Sequence, residues 1–387
     1  MCKRKFLSRS FVISLWVVLL TGCASPVQIN PTDKPLTPAA TYVLVQSTAT
    51  LRAQLADGFP PQPEGVPYPI DEWPEGGWPD GVDQEIVDNV VDLAFADGGP
   101  KRVRAVLIIQ DGKLVYERYS PNKDDGPGKI MPSYSLAKSF TSALVGILVR
   151  EGKLDIYAPA PVPTWNRADD LRNRITVDDL LRMSSGLQWS RARYPDPDAD
   201  ITQMLRSDDA AAYAASKRYT YSPGSTFAYN EGNTMLINRI QADQVGSGYA
   251  FRKFMEDELL NKIGINRMDL MFDPVGTWFG AISADTTARN YAKFGLLYLR
   301  DGVWDGERIL PEGWVEYSRT PSASNPEYGA GWWLDLERPG VFYAVGRYGQ
   351  TISVDPEHNL TFVTLATDGS VSLPVSEAIL DAFASQP

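Results

Sequence analysis

The stretch that decides this fold is SYSLAKSF, residues 133–140, with the run TSALVGILVREG that follows it to Gly152. Apolar residues recur through it at helical spacing, and most other faces carry alanine or valine. A helix that is apolar on nearly all sides packs inside a protein. The pattern therefore predicts a buried helix ended by Gly152, since glycine is favoured just past a helix C-terminus. The apolar positions are Leu136, Phe140, Leu144, Ile147 and Leu148.

Ser135 and Lys138 stand at the start of this predicted helix, three positions apart. Three residues are close to one helical turn, so we expect the two side chains to share a face. A partly desolvated lysine held there lowers the proton affinity of the serine or takes its proton, which activates the hydroxyl as a nucleophile. The helix N-terminus adds positive potential where an acyl oxyanion forms. The alternative interpretation of Ser135 is an ordinary helix cap.

The Ser-x-x-Lys pattern occurs a second time in this chain, as SPNK at residues 120–123. The second copy lies in a stretch rich in Pro, Asn, Asp and Gly, which is typical of a loop. Ser135 instead follows strand-like sequence and precedes a buried helix. Context, and not the pattern itself, favours Ser135 as the reactive serine.

Strand-forming residues lie at both ends of the chain, with helix-forming residues between them. Residues 103–109 and 113–119 predict a hairpin around Asp111-Gly112, and four further short strands are predicted at 330–336, 341–345, 351–354 and 361–366. Helices are predicted at 84–96, 177–182, 201–206, 231–241, 249–260, 285–299, 311–318 and 373–383. We predict an α/β (α+β) fold with one sheet built from segments 84–119 and 328–387, flanked by helices, and a mainly helical lobe, 133–320, inserted between them.

The N-terminus resembles a bacterial lipoprotein signal. Four basic residues precede the apolar stretch 11–20, which is too short to span a bilayer, and LTGC at 20–23 ends it. We expect residues 1–22 to be removed, Cys23 to carry lipid, and residues 23–56 to tether a single domain, 57–387. Because Ala24 and Ser25, the two residues directly after Cys23, are not acidic, the resemblance implies an outer-membrane lipoprotein facing the periplasm. A plain secretory signal is the alternative.

The composition excludes several classes of function. Of the 387 residues, 43% are hydrophobic, which is enough for a large core, and the formal net charge of −11 becomes −15 without residues 1–22. So acidic a chain is a poor binder of nucleic acid. The single histidine, His358, is predicted at a hairpin tip, which argues against a Ser-His-Asp triad and a zinc site. We therefore expect no metal and no cofactor, and a serine nucleophile then needs lysine or tyrosine as its base.

Two further segments supply candidate site residues. Tyr229 ends YSPGSTFAY, residues 221–229, a turn before a predicted helix, and a nearby lysine would lower its pKa enough for it to act as a base. The alternative for Tyr229 is a core tyrosine with a satisfied hydroxyl. The segment GRYGQT, residues 346–351, enters a strand, and its glycines allow a backbone N–H to approach a ligand closely.

Together these segments resemble the serine β-lactamase-related hydrolase superfamily, on its class C side. SLAKS at 135–139 is similar to the first motif, ITVDDLLRMSSGL at 175–187 to the long segment before the second, and the residues from Pro223 to Tyr229 to the second motif. Ala284-Asp285 and YAKFGLLY at 291–298 resemble the helix before the last strands, and RYGQ at 347–350 occupies the third motif. The resemblance implies a transpeptidase-like fold with an antiparallel sheet, and no cofactor.

The resemblance also implies roles for individual residues. Ser135 would form the acyl-enzyme, Lys138 would tune its acidity, and Tyr229 would carry the proton to the leaving group. The backbone N–H groups of Ser135 and Gln350 would hold the oxyanion. Arg347, Gly349 and Asn233 complete the expected substrate-binding set.

Two departures from the class C pattern favour a hydrolase of small esters or amides over a β-lactamase. Glu231 stands where class C β-lactamases have Asn, and Asn233 instead resembles the 6-aminohexanoate-dimer hydrolase branch. Arg347 replaces the usual Lys or His of the third motif. A D-alanyl-D-alanine carboxypeptidase or β-lactamase and a catalytically idle envelope module are the alternatives.

Segment 189–200 is either a lid over the pocket or a solvated loop.

Overall fold

The computed structural model describes residues 58–60, 63–69, 72–96, 102–190 and 192–384. The predicted signal at 1–22, Cys23 and the tether at 23–56 lie outside these residues. None of the helices in the described part of the chain is long and apolar enough to cross a bilayer.

The centre of the molecule is a six-stranded antiparallel sheet, as the resemblance implied. Its spatial order is β2-β1-β8-β7-β6-β5, so the N-terminal hairpin pairs directly with the last strand of the chain. Ala105 to Gln110 pair with Leu365 to Leu360 in unbroken register. The strands are β1 Val103–Gln110, β2 Lys113–Tyr119, β5 Trp333–Leu334, β6 Phe342–Gly346, β7 Gln350–Asp355 and β8 Leu360–Ala366, and β3 Val303–Trp304 and β4 Glu307–Arg308 form a separate hairpin.

Helices cover both faces of the sheet and fill the segment between its two halves. They are α1 Gln84–Ala96, α2 Ala137–Arg150, α3 Val177–Leu181, α4 Asp200–Leu205, α5 Ala210–Ala215, α6 Glu231–Val245, α7 Tyr249–Met255, α8 Ala288–Leu299, α9 Trp314–Arg319 and α10 Gly369–Ala384. Helices α1 and α10 pack together on one face, and α8 lies on the other. Alternate residues of β1 divide between the two cores: Leu107 belongs to the α8 side and Ile108 to the α1 side.

Helix α2 is buried, as its sequence predicted. Every side chain from Ala137 to Leu148 lies in the interior, and the Phe140 ring stacks on Phe294 of α8 at 3.7 Å between centroids. Its hydroxyls are satisfied by backbone carbonyls: Ser139 Oγ donates to Gly331 at 2.7 Å and Ser142 Oγ to Ala330 at 2.8 Å. These bonds fix the helix against the segment that leads into β5, and so set the position of its N-terminal end.

Several predicted element bounds were wrong, for local reasons. The strand predicted at 330–336 is reduced to Trp333–Leu334, since Gly331 adopts a φ of +83° outside the extended region. The helix predicted from Asp285 begins at Ala288, where Thr287 caps it by accepting from the N–H of Asn290. The helix predicted at 249–260 changes to a π-helical turn at Glu256–Leu260. Helix α5 was missed, although Asp209 caps it.

Candidate active site

Ser135 lies in a 3-10 turn, Tyr134–Leu136, directly before α2. This differs slightly from the prediction, which placed it in the helix itself. The preceding residue, Tyr134, has a φ of +48°, in the left-handed region that non-glycine residues rarely adopt. Such a backbone persists only where surrounding contacts hold it, and it is often found at functional sites.

Lys138 points back at the serine from the first turn of α2. Its Nζ lies 3.0 Å from Ser135 Oγ and 2.8 Å from the carbonyl oxygen of Ala281, to which it donates a hydrogen bond. The lysine side chain is almost entirely buried, with 3% of the residue exposed. The predicted pairing of Ser135 and Lys138 is therefore present, in an environment where a charge acts strongly because water is excluded.

Tyr229 completes the group around the lysine. Lys138 Nζ lies 4.9 Å from the centroid of its ring, within the range of a cation–π contact. The Tyr229 ring also packs on Trp333 at 5.4 Å and meets Tyr328 edge-on at 5.8 Å. Burial raises the pKa of Tyr328 well above its usual value, so this second tyrosine packs against Tyr229 as an uncharged ring. The sequence did not identify Tyr328.

The segment 175–187, the most specific part of the resemblance, supports Tyr229. Met183 and Ser184 accept hydrogen bonds from the N–H groups of Ala228 and Gly224, both at 2.8 Å. Met183 has a φ of +56°, which turns the segment toward the tyrosine loop. A side chain at Gly186 would collide with the backbone of Tyr221. The two segments are thus fitted together backbone against backbone, and Tyr229 is positioned by that fit.

Asn233 is buried in the first turn of α6 and is held by the protein. Its Oδ1 accepts from Ser185 Oγ at 2.7 Å, and its Nδ2 lies 3.7 Å from Met183 Sδ. The structure therefore joins Asn233 to the segment that supports Tyr229. Glu231 is half-buried in the same turn. A carboxylate there is favoured by the positive end of the helix dipole.

The third segment brings the sheet against the nucleophile turn. Gly346 ends β6 so close to this turn that a side chain there would collide with the carbonyl oxygen of Ser133. Gln350 pairs with Gly346 and opens β7. Its side chain is buried and donates to the carbonyl of Ala366 at 2.6 Å. Gly349, with a φ of +85°, packs against Ser372 of α10.

Arg347 and Tyr348 form the exposed rim of the site. The guanidinium carbon of Arg347 lies 4.7 Å from the centroid of the Tyr348 ring, and that ring meets Tyr134 edge-on at 5.2 Å. Tyr134 is the residue before the nucleophile, so the rim is in contact with the turn that carries Ser135. Burial raises the pKa of Tyr134, while the charge of Arg347 acts in the opposite direction.

Two further segments singled out from the sequence, the turn at His358 and residues 189–200, have contacts of their own. His358 is in the turn between β7 and β8, as predicted, with its Nδ1 2.7 Å from Asp355. Gln350 is the first residue of β7 and Asp355 the last, and at the usual rise per residue the two lie about 17 Å apart. Segment 189–200 is tied at both ends by Asp200, which accepts from the N–H of Ser190 and from Lys217. Its Trp189 ring packs on Gly232, beside the start of α6.

The sequence did not identify Asp285 as the residue that binds Ser133, two positions before the predicted nucleophile. The carboxylate of Asp285 accepts hydrogen bonds from both the N–H and the hydroxyl of Ser133, each at 2.9 Å. Burial raises the pKa of Asp285, and the bonds from Ser133 counteract that rise. Asp285 belongs to one of the motifs of the resemblance, but no spacing rule could place it beside Ser133, 152 positions away.

Comparison with known proteins identifies the family and the fold. The family model described as Beta-lactamase matches residues 99–384. The 6-aminohexanoate-dimer hydrolase of Paenarthrobacter ureafaciens is 24% identical over 287 residues, which is 68% of this chain and 72% of that protein. A Bacillus anthracis structure described provisionally as a 6-aminohexanoate-dimer hydrolase shares the fold with a TM-score of 0.66 and 20% identity, covering 93% of this chain and 97% of its own. A family VIII carboxylesterase has a TM-score of 0.63 and 14% identity, covering 80% and 99%.

Proposed function

The chain belongs to the β-lactamase family, whose fold implies a hydrolase, and from this premise we propose a serine hydrolase that cleaves small esters or amides through an acyl-enzyme on Ser135. The observation that carries the proposal is the 3.0 Å separation between Ser135 Oγ and the buried Lys138 Nζ. A lysine so placed stabilises the alkoxide of the serine, which is the form that attacks a carbonyl carbon.

In the proposed reaction, Ser135 Oγ attacks the substrate carbonyl carbon and its proton passes by way of Lys138 and Tyr229 to the leaving oxygen or nitrogen. The bond to the leaving group breaks, and the acyl group stays on Ser135 as an ester. Water then attacks this ester, its proton returns along the same groups, and the acid is released. The N–H groups of Ser135 and Gln350 hold the oxyanion in both steps.

The rings around Lys138 support a substrate with an apolar part. Tyr229, Tyr328 and Trp333 form a continuous aromatic wall in which neighbouring ring centroids lie 4.9 to 5.8 Å apart. Aromatic surface of this kind favours apolar groups and excludes water from the reacting atoms. Glu231 and Arg347 depart from the class C pattern, which favours a linear ester or amide over a β-lactam.

We also propose that the mature protein is held to the outer membrane by lipid on Cys23 and faces the periplasm. The proposal rests on the basic start, the short apolar stretch and LTGC at 20–23. Mass spectrometry of the mature N-terminus is the direct measurement. Lipid on Cys23 is expected, and an unmodified start at Ala24 would overturn the proposal.

The enzymatic proposal is tested by ester hydrolysis with protein that starts at Ala24. Nitrophenyl esters of several chain lengths and a chromogenic cephalosporin are compared for the wild type, Ser135→Ala and Ser120→Ala. We expect ester turnover by the wild type, a loss of at least about 10³-fold in Ser135→Ala, and a change within about twofold in Ser120→Ala, whose hydroxyl accepts a hydrogen bond from the N–H of Asn122.

Each other outcome has a definite meaning. Equal background rates for the wild type and Ser135→Ala would support the catalytically idle envelope module. Cephalosporin turnover comparable to ester turnover would support the β-lactamase alternative. Covalent capture of a labelled penicillin on Ser135 without ester turnover would favour the carboxypeptidase.

A further inference from the structure

One segment, residues 281–286, contacts Lys138 and the residues that lead into the nucleophile turn. At its start, the carbonyl of Ala281 accepts from Lys138 Nζ at 2.8 Å. At its end, the carbonyl of Thr286 accepts from the N–H of Met131 at 2.9 Å, so the segment runs beside the residues that lead into the nucleophile turn. Any shift of this segment would move the lysine and the approach to the serine together.

Asp285 holds the residue that precedes the nucleophile turn. Ser133 is fully buried, and its N–H and hydroxyl both donate to the same carboxylate oxygen, Oδ1 of Asp285, at 2.9 Å. The Ser133 Oγ in turn accepts from the N–H of Ala284 at 2.8 Å. Hydrogen bonds to an ionised acceptor are stronger than those between neutral groups. Ser133 therefore has one position relative to segment 281–286.

The backbone between Ser133 and Ser135 needs such an anchor. Tyr134 is held with a φ of +48°, and a non-glycine residue keeps that conformation only if both neighbours are fixed. On the C-terminal side the start of α2 fixes Ser135. On the N-terminal side, Ser133 is held by its hydrogen bonds with segment 281–286 and by the close approach of Gly346.

We propose that Asp285 is a positioning residue for the hydrolysis: through Ser133 it sets the distance and angle between Ser135 Oγ and Lys138 Nζ. The proposal rests on the proposed function, since it concerns the same nucleophile. Asp285 contacts no reacting atom in this arrangement. Its effect is to hold the serine in the geometry needed for attack, where a displacement of about 1 Å is enough to slow the chemical step by about 10²-fold.

The test compares Asp285→Ala, which removes the acceptor, with Asp285→Asn, whose Oδ1 still accepts both bonds. For nitrophenyl ester hydrolysis we expect kcat of Asp285→Ala to fall by about 10- to 100-fold with KM within about threefold, and Asp285→Asn to recover most of the loss. Asp269→Asn is the matched control, because Asp269 is an exposed carboxylate whose backbone pairs with that of Asp285.

The proposal is overturned if kcat of Asp285→Ala stays within about twofold of wild type, if the loss appears in KM instead, or if Asp285→Asn is as slow as Asp285→Ala. Should Asp285→Ala fail to fold, Ser133→Ala is measured instead; it removes the hydroxyl link and keeps the N–H link, so we expect a smaller loss of kcat, and an unchanged kcat overturns the proposal.

Crystal structures of the wild type and Asp285→Ala separate this inference from the proposed function. An Oγ–Nζ separation that grows beyond hydrogen-bond distance supports the role of Asp285 even if the wild type hydrolyses no ester. An unchanged separation overturns the role of Asp285 and leaves the proposed hydrolysis standing.

Discussion

The two Ser-x-x-Lys sequences of this chain fold into opposite environments. Ser135 and Lys138 lie on one face of a turn and helix, 3.0 Å apart, with the lysine buried. Ser120 is buried directly after β2, where its Oγ accepts from the N–H of Asn122 at 3.2 Å, and Lys123 lies in the turn that follows and is exposed to solvent.

The difference shows what the pattern requires in order to become a reactive pair. A spacing of three residues brings side chains together only in a helical turn. Burial then makes the lysine charge effective, because an exposed ammonium is screened by water. Neither condition is contained in the four letters of the pattern. Both come from the packing of α2 beneath the sheet.

Replacing the two lysines is the strongest way to break this comparison. Lys138→Ala is expected to lower kcat for ester hydrolysis by about 10²- to 10⁴-fold, because it removes the only side chain recorded within hydrogen-bond distance of Ser135 Oγ among the described residues. Lys123→Ala is expected to stay within about twofold of wild type. Comparable losses in both variants, measured on protein with unchanged thermal unfolding, would contradict this account.

Two glycine substitutions test whether packing holds the reactive pair. Gly346→Ala would push a Cβ into the carbonyl of Ser133, so we expect it to lower the free energy of unfolding by about 1–3 kcal/mol and to reduce kcat. Gly128→Ala, near the second pattern, meets no atom within 4 Å, and we expect a change within about 0.5 kcal/mol. Denaturant unfolding and ester assays measure both. Equal stability of the two variants would count against tight packing at the nucleophile turn.

The smallest expected effect is that of replacing His358. It tests whether lysine, and not histidine, is the group that activates the serine. The carboxylate of Asp355 raises the pKa of His358 by a hydrogen bond, so the protonated ring stabilises the folded protein. This stabilisation is complete below the ordinary histidine pKa of about 6.5 and is lost as the pH rises through the raised value.

His358→Gln is therefore expected to lower Tm relative to wild type at about pH 6 by at most about 2 °C, with the difference vanishing near about pH 9. Ester turnover should be unaffected at either pH. A large loss of kcat in His358→Gln would mean that the histidine takes part in the reaction, and would overturn the assignment of the base to Lys138 and Tyr229.

The sequence by itself determined which elements form and which residue types are available for chemistry. Apolar periodicity predicted α2, the hairpin of β1 and β2 and the return of strands at the C-terminus, because these signals are local and repeat over many residues. The single histidine at a hairpin turn directed attention to lysine and tyrosine. The three-residue spacing, together with the helix predicted from the apolar periodicity, predicted the pairing of Ser135 with Lys138, since both would lie within one helical turn.

Only the tertiary structure decided which residues hold that pair in place. The contacts of Ser133 with Asp285 and Gly346, and of Lys138 with Ala281, join segments more than a hundred residues apart. No periodicity in the sequence encodes contacts across such a separation. Tyr229 meets Lys138 because the segment at 183–186 fits backbone to backbone against the loop before it. Asn233 stays a predicted substrate-binding residue, and the packing of the first turn of α6 decides that its amide oxygen accepts from Ser185. Local patterns name the groups, and long-range packing fixes their distances.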